Sequence, residues 1–291
     1  MKKVAMVEQL EYFNIGQILE SGQIFRFEKI NPHTYRLIAK GKCIKVTQLP
    51  ESTTLMIYNS TLGEFEEIWR PYFDIDTDYK QIAQTLSQKD EYMSQAIDFG
   101  KGIRLLKQDP WEMLISFIIS QNKAIPHIQK CIENISERYG QKIAYEEEED
   151  SYYYTFPTPE ELAKATEEEL RECKVGFRAP YIVDACQKVM SGEIILNDLF
   201  NMSAKEAKEE LMKIKGVGPK VSDCILLFAY GKMDLFPTDV WIKRVVEGIY
   251  FDGKEISLQA IQKFAREYFA DLAGYAQQYL FYYGRENNLY R

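Results

Sequence analysis

The spacing of apolar residues changes once along the chain, and this change limits what the chain can fold into. From about Gln23 to Ser60, apolar and polar residues alternate in short runs such as TYRLIAK and KCIKVTQL, separated by NPH, GK and PEST. Alternation bounded by turn-forming residues is typical of strands. After Leu62, apolar residues recur every three or four positions, as they do in helices. The patterns predict an α+β protein in which an N-terminal antiparallel sheet precedes an all-helical region.

The helical region contains recognisable helix starts. Thr158 precedes proline and glutamate, Ser203 has a glutamate three residues later, and Ser257 precedes another apolar periodic stretch. Such residues cap helix N-termini through their side-chain oxygens. We expect a mixed N-terminal domain at residues 1–108 and a helical region at 109–291, with a helix-hairpin-helix segment at 205–230.

Composition excludes several classes of protein. The longest apolar runs are too short to span a membrane and the N-terminus has no signal-peptide core, so we expect a cytoplasmic protein without membrane contact. The five cysteines are scattered, and neither His33 nor His127 has a neighbour at ligand spacing. We therefore expect no disulfide framework, no metal and no cofactor.

The net charge of −8 argues against binding nucleic acid through a surface that is basic overall. However, part of the acid is concentrated in the run EEEED at residues 146–150, which we expect to be a solvated loop. A net charge can also conceal a locally basic face, so the net charge of −8 does not exclude DNA as a partner.

The segment KIKGVGPKV predicts two helices joined by a tight turn. Glycine at 216 and 218 permits positive φ angles, and Pro219 suits the first turn of the following helix. Outward-facing amides at a helix N-terminus can bind a DNA phosphate without many lysines. A plain interhelical turn is the alternative interpretation.

Lys220 follows this turn, where its side chain is difficult to explain by packing. The positive end of the helix dipole and burial would both lower its pKa. A neutral lysine amine is a nucleophile that forms Schiff bases, including at the sugar carbon that a nucleobase leaves. Cys224 falls on the same helical face, although a free cysteine is usually a small buried apolar residue.

Asp239 opens a helix in FPTDVWIKRVV. Aspartate at this position is most often only a cap. Its functional interpretation is a carboxylate that stabilises positive charge developing on a sugar during cleavage of a glycosidic bond.

Together these residues resemble the helix-hairpin-helix DNA glycosylase superfamily, whose signature is a GVG hairpin followed by a loop that ends in aspartate. The resemblance implies that Gly216, Val217 and Gly218 contact the DNA backbone. The presence of both Lys220 and Asp239 implies a bifunctional member with glycosylase and lyase activities.

Further segments resemble 8-oxoguanine DNA glycosylases, bacterial members included, over almost the whole chain. SGQIFRF and AGYAQQYLF are similar to family segments that form the pocket for the extruded base. The resemblance implies that the Gly22 carbonyl accepts the N7 hydrogen of 8-oxoguanine and that Gln277 bonds the Watson–Crick edge. Phe281 and Cys224 would stack on opposite faces of the base.

GFRAPYI and SQNKAIPHI resemble the segments that fill the space the base leaves. The resemblance places Asn122, Phe177 and Arg178 there. His127 stands where eukaryotic members carry an arginine that reads the opposite cytosine, so we expect weaker opposite-base discrimination. Trp241 stands where familiar members carry a histidine, so the phosphate contact of that histidine is not carried over to this chain.

The resemblance implies that the partner is double-stranded DNA containing 8-oxoguanine, and we expect a monomer. The alternatives are a monofunctional glycosylase for another base, such as alkylated adenine, and a non-catalytic hairpin DNA-binding protein. A helical scaffold in which all these residues are structural is a third. A protein of the second or third kind would need neither Lys220 nor Asp239.

Overall fold

The computed structural model describes residues 3–145 and 151–289; the acidic run predicted to be a solvated loop lies outside these residues. The N-terminal part forms a five-stranded antiparallel sheet with strand order β1-β5-β4-β3-β2. The strands are β1 (Val4–Val7), β2 (Phe27–Asn31), β3 (Thr34–Ala39), β4 (Lys42–Thr47) and β5 (Leu55–Tyr58). The predicted α+β class is confirmed, although β1 was not predicted.

One face of this sheet is buried by helices from its own half of the chain. Leu37 on β3 pairs with Ile44 on β4, and both side chains are fully buried. They belong to a core that includes Ile18 and Trp69. The alternation in β3 and β4 therefore matches the face that these helices cover.

The α-helices are α1 (Ile15–Glu20), α2 (Leu62–Glu64), α3 (Arg70–Tyr72), α4 (Tyr79–Ser87), α5 (Glu91–Phe99), α6 (Pro110–Ser120), α7 (Ile125–Tyr139), α8 (Pro159–Leu162), α9 (Glu167–Glu172), α10 (Ala179–Met190), α11 (Ala204–Leu211), α12 (Pro219–Tyr230), α13 (Val240–Tyr250), α14 (Leu258–Phe269) and α15 (Ala273–Glu286). A π-helical turn at Phe65–Trp69 joins α2 to α3, and 3₁₀ turns lie at Gly176–Arg178, Leu196–Phe200 and Ala270–Leu272. The predicted caps at Thr158, Ser203 and Ser257 all accept a backbone hydrogen bond.

The helices from α4 onwards share one large apolar core. It includes most of α6 and α12 and extends to α4 and α5, which precede residue 108 and pack towards α15. The helices around this core therefore come from both sides of the predicted boundary. The division at residue 108 stays a prediction.

A second, two-stranded sheet was not predicted. Strands β6 (Lys142–Ala144) and β7 (Tyr152–Tyr154) pair on either side of the acidic run. Tyr153 packs with Cys43 of β4, and its hydroxyl donates to the Gly41 carbonyl at 3.2 Å. Three-residue strands are too short to produce a clear alternation, and this hairpin is stabilised by a contact with a distant part of the chain.

Candidate active site

A cavity of about 70 Å³ lies where the loop after α1 meets α6, α12 and α15. The two residues predicted to be catalytic and the four predicted to form the base pocket all line it: Lys220, Asp239, Gly22, Cys224, Gln277 and Phe281. Phe117, Phe228, Pro237 and Gln278 complete the lining. The structure therefore brings together residues that are up to 259 positions apart, from Gly22 to Phe281.

The hairpin that presents Lys220 is formed by α11 and α12. Lys208 on α11 pairs with the buried carboxylate of Asp223 on α12 at 2.7 Å, which ties the two helices together. Gly216 has a φ of +81°, as the glycine turn predicts, but Gly218 has a φ of −97°. Gly218 does not use the positive φ that glycine permits, because this residue is the extended N-cap of α12.

Lys220 lies in the first turn of α12 with its Nζ 5.6 Å from the centroid of the Phe117 ring. The prediction that its pKa is lowered is wrong. The negative charge that Cys224 gains on ionisation raises the pKa of Lys220, and the Asp239 carboxylate adds to this effect, whereas burial opposes it. These effects together raise the pKa of Lys220, so its side chain is an ammonium ion near neutral pH, where the Cys224 thiol is neutral and Asp239 is the adjacent anion.

Asp239 serves as a helix cap and faces the cavity as well. Its Oδ1 accepts from the Ile242 amide at 2.7 Å. The preceding loop is fixed by Gln262 of α14, whose Nε2 donates to the Phe236 carbonyl at 2.7 Å and to the Thr238 hydroxyl at 3.0 Å. A carboxylate held in this way has little freedom to move away from a charge that forms in the cavity.

Cys224 lies one helical turn after Lys220 and is 5% exposed. Burial raises the pKa of its thiol, and the positive charge of Lys220 opposes this shift. Cys224 therefore presents a compact, neutral thiol to the cavity near neutral pH.

Gln277 and Phe281 lie four residues apart on α15 and line the same cavity. The Oε1 atom of Gln277 is buried and has no hydrogen-bond partner within the described ranges. An unsatisfied buried amide oxygen costs about 1–3 kcal/mol unless a donor reaches it. This oxygen is the clearest indication that the cavity receives a ligand with a hydrogen-bond donor.

Gly22 brings its backbone close to Phe281. Its φ is +84°, and an added Cβ would lie 2.9 Å from Cε1 of the Phe281 ring. A larger residue would therefore need both a strained backbone and a displaced ring.

Four lining residues were not predicted. Phe117 and Phe228 stack at 5.6 Å with an interplanar angle of 11°, and both lie in strongly apolar helices. Their sequence context is the same as that of ordinary core residues. Pro237 adjoins Asp239, and Gln278 adjoins Gln277, so proximity to a predicted residue was the available signal.

The predicted wedge residues do not line this cavity, and they differ in exposure. Asn122 and His127 are exposed, Asn122 with a φ of +52°, and Phe177 is 55% exposed. Arg178 is different, because only 3% of it is exposed. Its guanidinium donates to the carbonyls of Gln121 and Val175.

Burial and two main-chain acceptors therefore account for the Arg178 side chain. One of these acceptors, the Gln121 carbonyl, directly precedes Asn122 in the chain. The indole Nε1 of Trp241 is also buried, without a partner in residues 3–145 and 151–289, near Gly284 of α15. The DNA contacts predicted for Arg178 and Trp241 stay predictions.

Residues 3–145 and 151–289 contain no cluster of three or more histidine, cysteine, aspartate or glutamate residues arranged to hold a metal ion. The five cysteines all lie within the described residues, where they are buried and form no disulfide. No helix in the described part of the chain has the length and apolar content needed to cross a membrane.

Two family models together match most of the chain. Residues 115–271 match the model of the HhH-GPD superfamily of base excision DNA repair proteins. Residues 5–114 match the model of the N-terminal domain of 8-oxoguanine DNA glycosylase. The chain belongs to the 8-oxoguanine DNA glycosylase family within the HhH-GPD superfamily.

Individual relatives agree with this assignment. The crystal structure of Clostridium acetobutylicum 8-oxoguanine glycosylase/lyase, in complex with double-stranded DNA containing cytosine opposite 8-oxoguanine, has a TM-score of 0.93 and 42% identity over 99% of both chains. A probable N-glycosylase/DNA lyase of Methanothermobacter thermautotrophicus is 34% identical over 79% of this chain and 77% of its own length. The 3-methyladenine DNA glycosylase of Archaeoglobus fulgidus is more distant, with a TM-score of 0.77 and 25% identity over 97% and 98% of the two chains.

Proposed function

We propose that the protein excises 8-oxoguanine from double-stranded DNA and then cleaves the strand at the resulting abasic site. The observation that supports this proposal is the set of side chains that line one cavity. It presents an amine, a carboxylate and an unpartnered amide oxygen, from Lys220, Asp239 and Gln277, beside the ring of Phe281. An amine and a carboxylate next to a base-sized recognition surface are the groups needed to break a glycosidic bond and capture the sugar.

Recognition would begin with extrusion of the base from the duplex, which costs a few kcal/mol. The Oε1 of Gln277 would accept from a donor on the base edge, and the Phe281 ring would stack on its face. Gly22 leaves room for the backbone to approach the base. Because the Phe281 ring lies against Gly22, we expect it to turn aside as the base enters.

In the chemical step, the Lys220 nitrogen would bond to C1′ while the bond from C1′ to the base breaks. The departing base takes up a proton, and Asp239 stabilises the positive charge that develops on the sugar. Opening of the sugar ring gives a Schiff base, which acidifies the hydrogens at C2′ and permits β-elimination of the 3′ phosphate. Lys220 must lose its proton before it attacks, because its raised pKa keeps it protonated near neutral pH.

The hairpin and the wedge would hold the DNA. The backbone at Gly216–Gly218 precedes α12, and no side chain caps this helix, so its amides are available to a phosphate. Asn122 and Phe177 are exposed and would fill the gap left by the base. One protein molecule suffices for one lesion, so we propose that the monomer is the active form.

Opposite-base discrimination would be relaxed. The Arg178 guanidinium donates to the Gln121 carbonyl, which directly precedes Asn122, and to the Val175 carbonyl. These two bonds leave few donors for a base. His127 is exposed but lacks the rigid fork of an arginine. The positions of the Arg178 and His127 donors thus support the proposal of relaxed opposite-base discrimination.

Single-turnover kinetics test the assigned roles. Lys220→Gln should abolish excision and strand cleavage, and Asp239→Asn should slow both while keeping a helix cap, since asparagine also caps well. Lys215→Gln is the matched control, because Lys215 is an exposed lysine of the same hairpin. Retention of both activities by Lys220→Gln would exclude Lys220 as the nucleophile.

A further inference from the structure

The cavity wall that contains Gly22 is held by donors from α15. The Nε2 atom of Gln278 donates to the Ser21 carbonyl at 2.8 Å, and Arg285 donates to the Glu20 carbonyl. Gln278 and Arg285 are seven residues apart, so they lie on one side of α15. Glu20 is the last residue of α1 and Ser21 follows it, so these two donors satisfy carbonyls that the end of a helix leaves without partners.

This contact is buried and specific. Gln278 is 2% exposed and Ser21 is fully buried. On the other side of Gly22, the Gln23 side chain donates to the Arg104 carbonyl at 2.8 Å and accepts from the Leu106 amide at 2.7 Å. Gly22 is therefore the flexible residue between two anchored neighbours.

A peptide unit is planar, so fixing the direction of the Ser21 carbonyl also fixes the amide of Gly22. Glycine otherwise allows this peptide to rotate, because it tolerates many φ and ψ values. Rotation would change the wall that faces Phe281, whose ring is within 2.9 Å of the position of a Cβ at Gly22. Lys220 lies on α12 and Asp239 caps α13, so neither residue belongs to this anchor, although both line the same cavity as Gln278.

We infer that Gln278 is a positioning residue for base selection, which acts by holding the Ser21–Gly22 peptide in the orientation that accepts the extruded base. This inference rests on the proposed function. The inference predicts different effects on the two chemical activities, because excision requires a base in the pocket whereas cleavage of an abasic site does not. Loss of the Gln278 anchor should therefore affect excision selectively.

The test compares Gln278→Met with Gln48→Met. Gln48 is a suitable control because it is 7% exposed and its Nε2 donates to the carbonyls of Phe13 and Ser52, at 3.0 and 2.8 Å, away from the cavity. Single-turnover rates are measured on a duplex containing 8-oxoguanine and on one containing an abasic site, with melting temperatures to compare stability.

For Gln278→Met we expect excision to fall about ten-fold, as for loss of one buried hydrogen bond. Abasic-site cleavage should stay within about two-fold of the wild type, because its transition state does not include the base. Gln48→Met should leave the ratio of the two rates unchanged. The inference is overturned if the ratio for Gln278→Met equals that of the wild type, or if Gln48→Met changes it equally.

Gln278→Glu provides a second variant of nearly the same shape. A protonated carboxyl can donate to the Ser21 carbonyl, whereas a carboxylate cannot. The ratio of excision to abasic-site cleavage, relative to wild type at each pH, should therefore recover as the pH falls. A ratio independent of pH would contradict the anchor. If the wild type itself fails to excise 8-oxoguanine, the proposed function fails, which is a different outcome from an unchanged ratio in an active wild type.

Discussion

Replacement of Gly216 by alanine should destabilise the hairpin for two reasons that the structure separates. The φ of +81° places the residue in the left-handed region, where a Cβ costs about 1–2 kcal/mol. The new Cβ would also lie 2.3 Å from Cδ2 of Tyr181. Displacing a packed ring adds about 1–3 kcal/mol.

The two contributions together predict a loss on the order of 3 kcal/mol in the free energy of unfolding. For a chain of this size, the thermal midpoint should fall by roughly 6–12 °C. Tyr181 also contacts the Phe177 ring, with ring centroids 6.2 Å apart, so its displacement should disturb the exposed wedge. DNA affinity is therefore expected to fall together with stability.

Gly218→Ala is the matched control, two residues away in the same turn. Gly218 has a φ of −97°, and no atom lies within 4 Å of its added Cβ. Its stability should change by less than about 1 kcal/mol. If a DNA phosphate approaches this backbone, the variant should still bind a duplex more weakly.

Thermal unfolding and fluorescence anisotropy with a labelled duplex measure the two properties separately. Wild-type stability for Gly216→Ala would refute the reasoning about strain and overlap. Equal destabilisation by both substitutions would refute the assignment of different roles to the two glycines.

Three further predictions concern charge and specificity. The excision rate should rise as the pH passes through the raised pKa of Lys220. Cys224→Ala removes the largest cause of the raised pKa, so the inflection in a single-turnover pH profile should move to lower pH. The excision rate opposite adenine should remain within about 100-fold of the rate opposite cytosine, because His127 offers no fork of donors. A difference of several orders of magnitude between two duplexes measured in parallel would contradict this prediction. Burial raises the pKa of Glu112 to about 7, so its protonated form contributes stability that is lost as the pH rises through that value. Chemical denaturation should show a smaller decline from acidic to neutral pH for Glu112→Gln than for the wild type, and an unchanged decline would contradict the assignment.

Features that depend on neighbouring residues were predictable from the sequence. The cap at Ser203 and the turn at Gly216 are local patterns, and the structure contains both. The pocket residues Gln277 and Phe281 could be proposed together because they lie one helical turn apart. Resemblance to a family then indicated which distant segment, that of Gly22, would face them.

Features that depend on contacts between distant segments were not predictable. The pKa of Lys220 depends on the balance between burial and two nearby acidic groups, and the sequence does not show their proximity. The burial of Arg178 depends on the approach of the turn containing Gln121. The anchor at Gln278 joins residues 257 positions apart, and glutamine beside an aromatic residue has no distinctive pattern.

The most direct test of the account is borohydride trapping on a duplex that contains a single 8-oxoguanine. Borohydride reduces a Schiff base to a stable amine, so an enzyme that forms one becomes covalently bound to its DNA. The account predicts an adduct with the wild type on damaged DNA, none on undamaged DNA, and none with Lys220→Gln. Absence of the adduct for a wild-type protein that binds the damaged duplex would contradict the central claim, as would an undiminished adduct with Lys220→Gln.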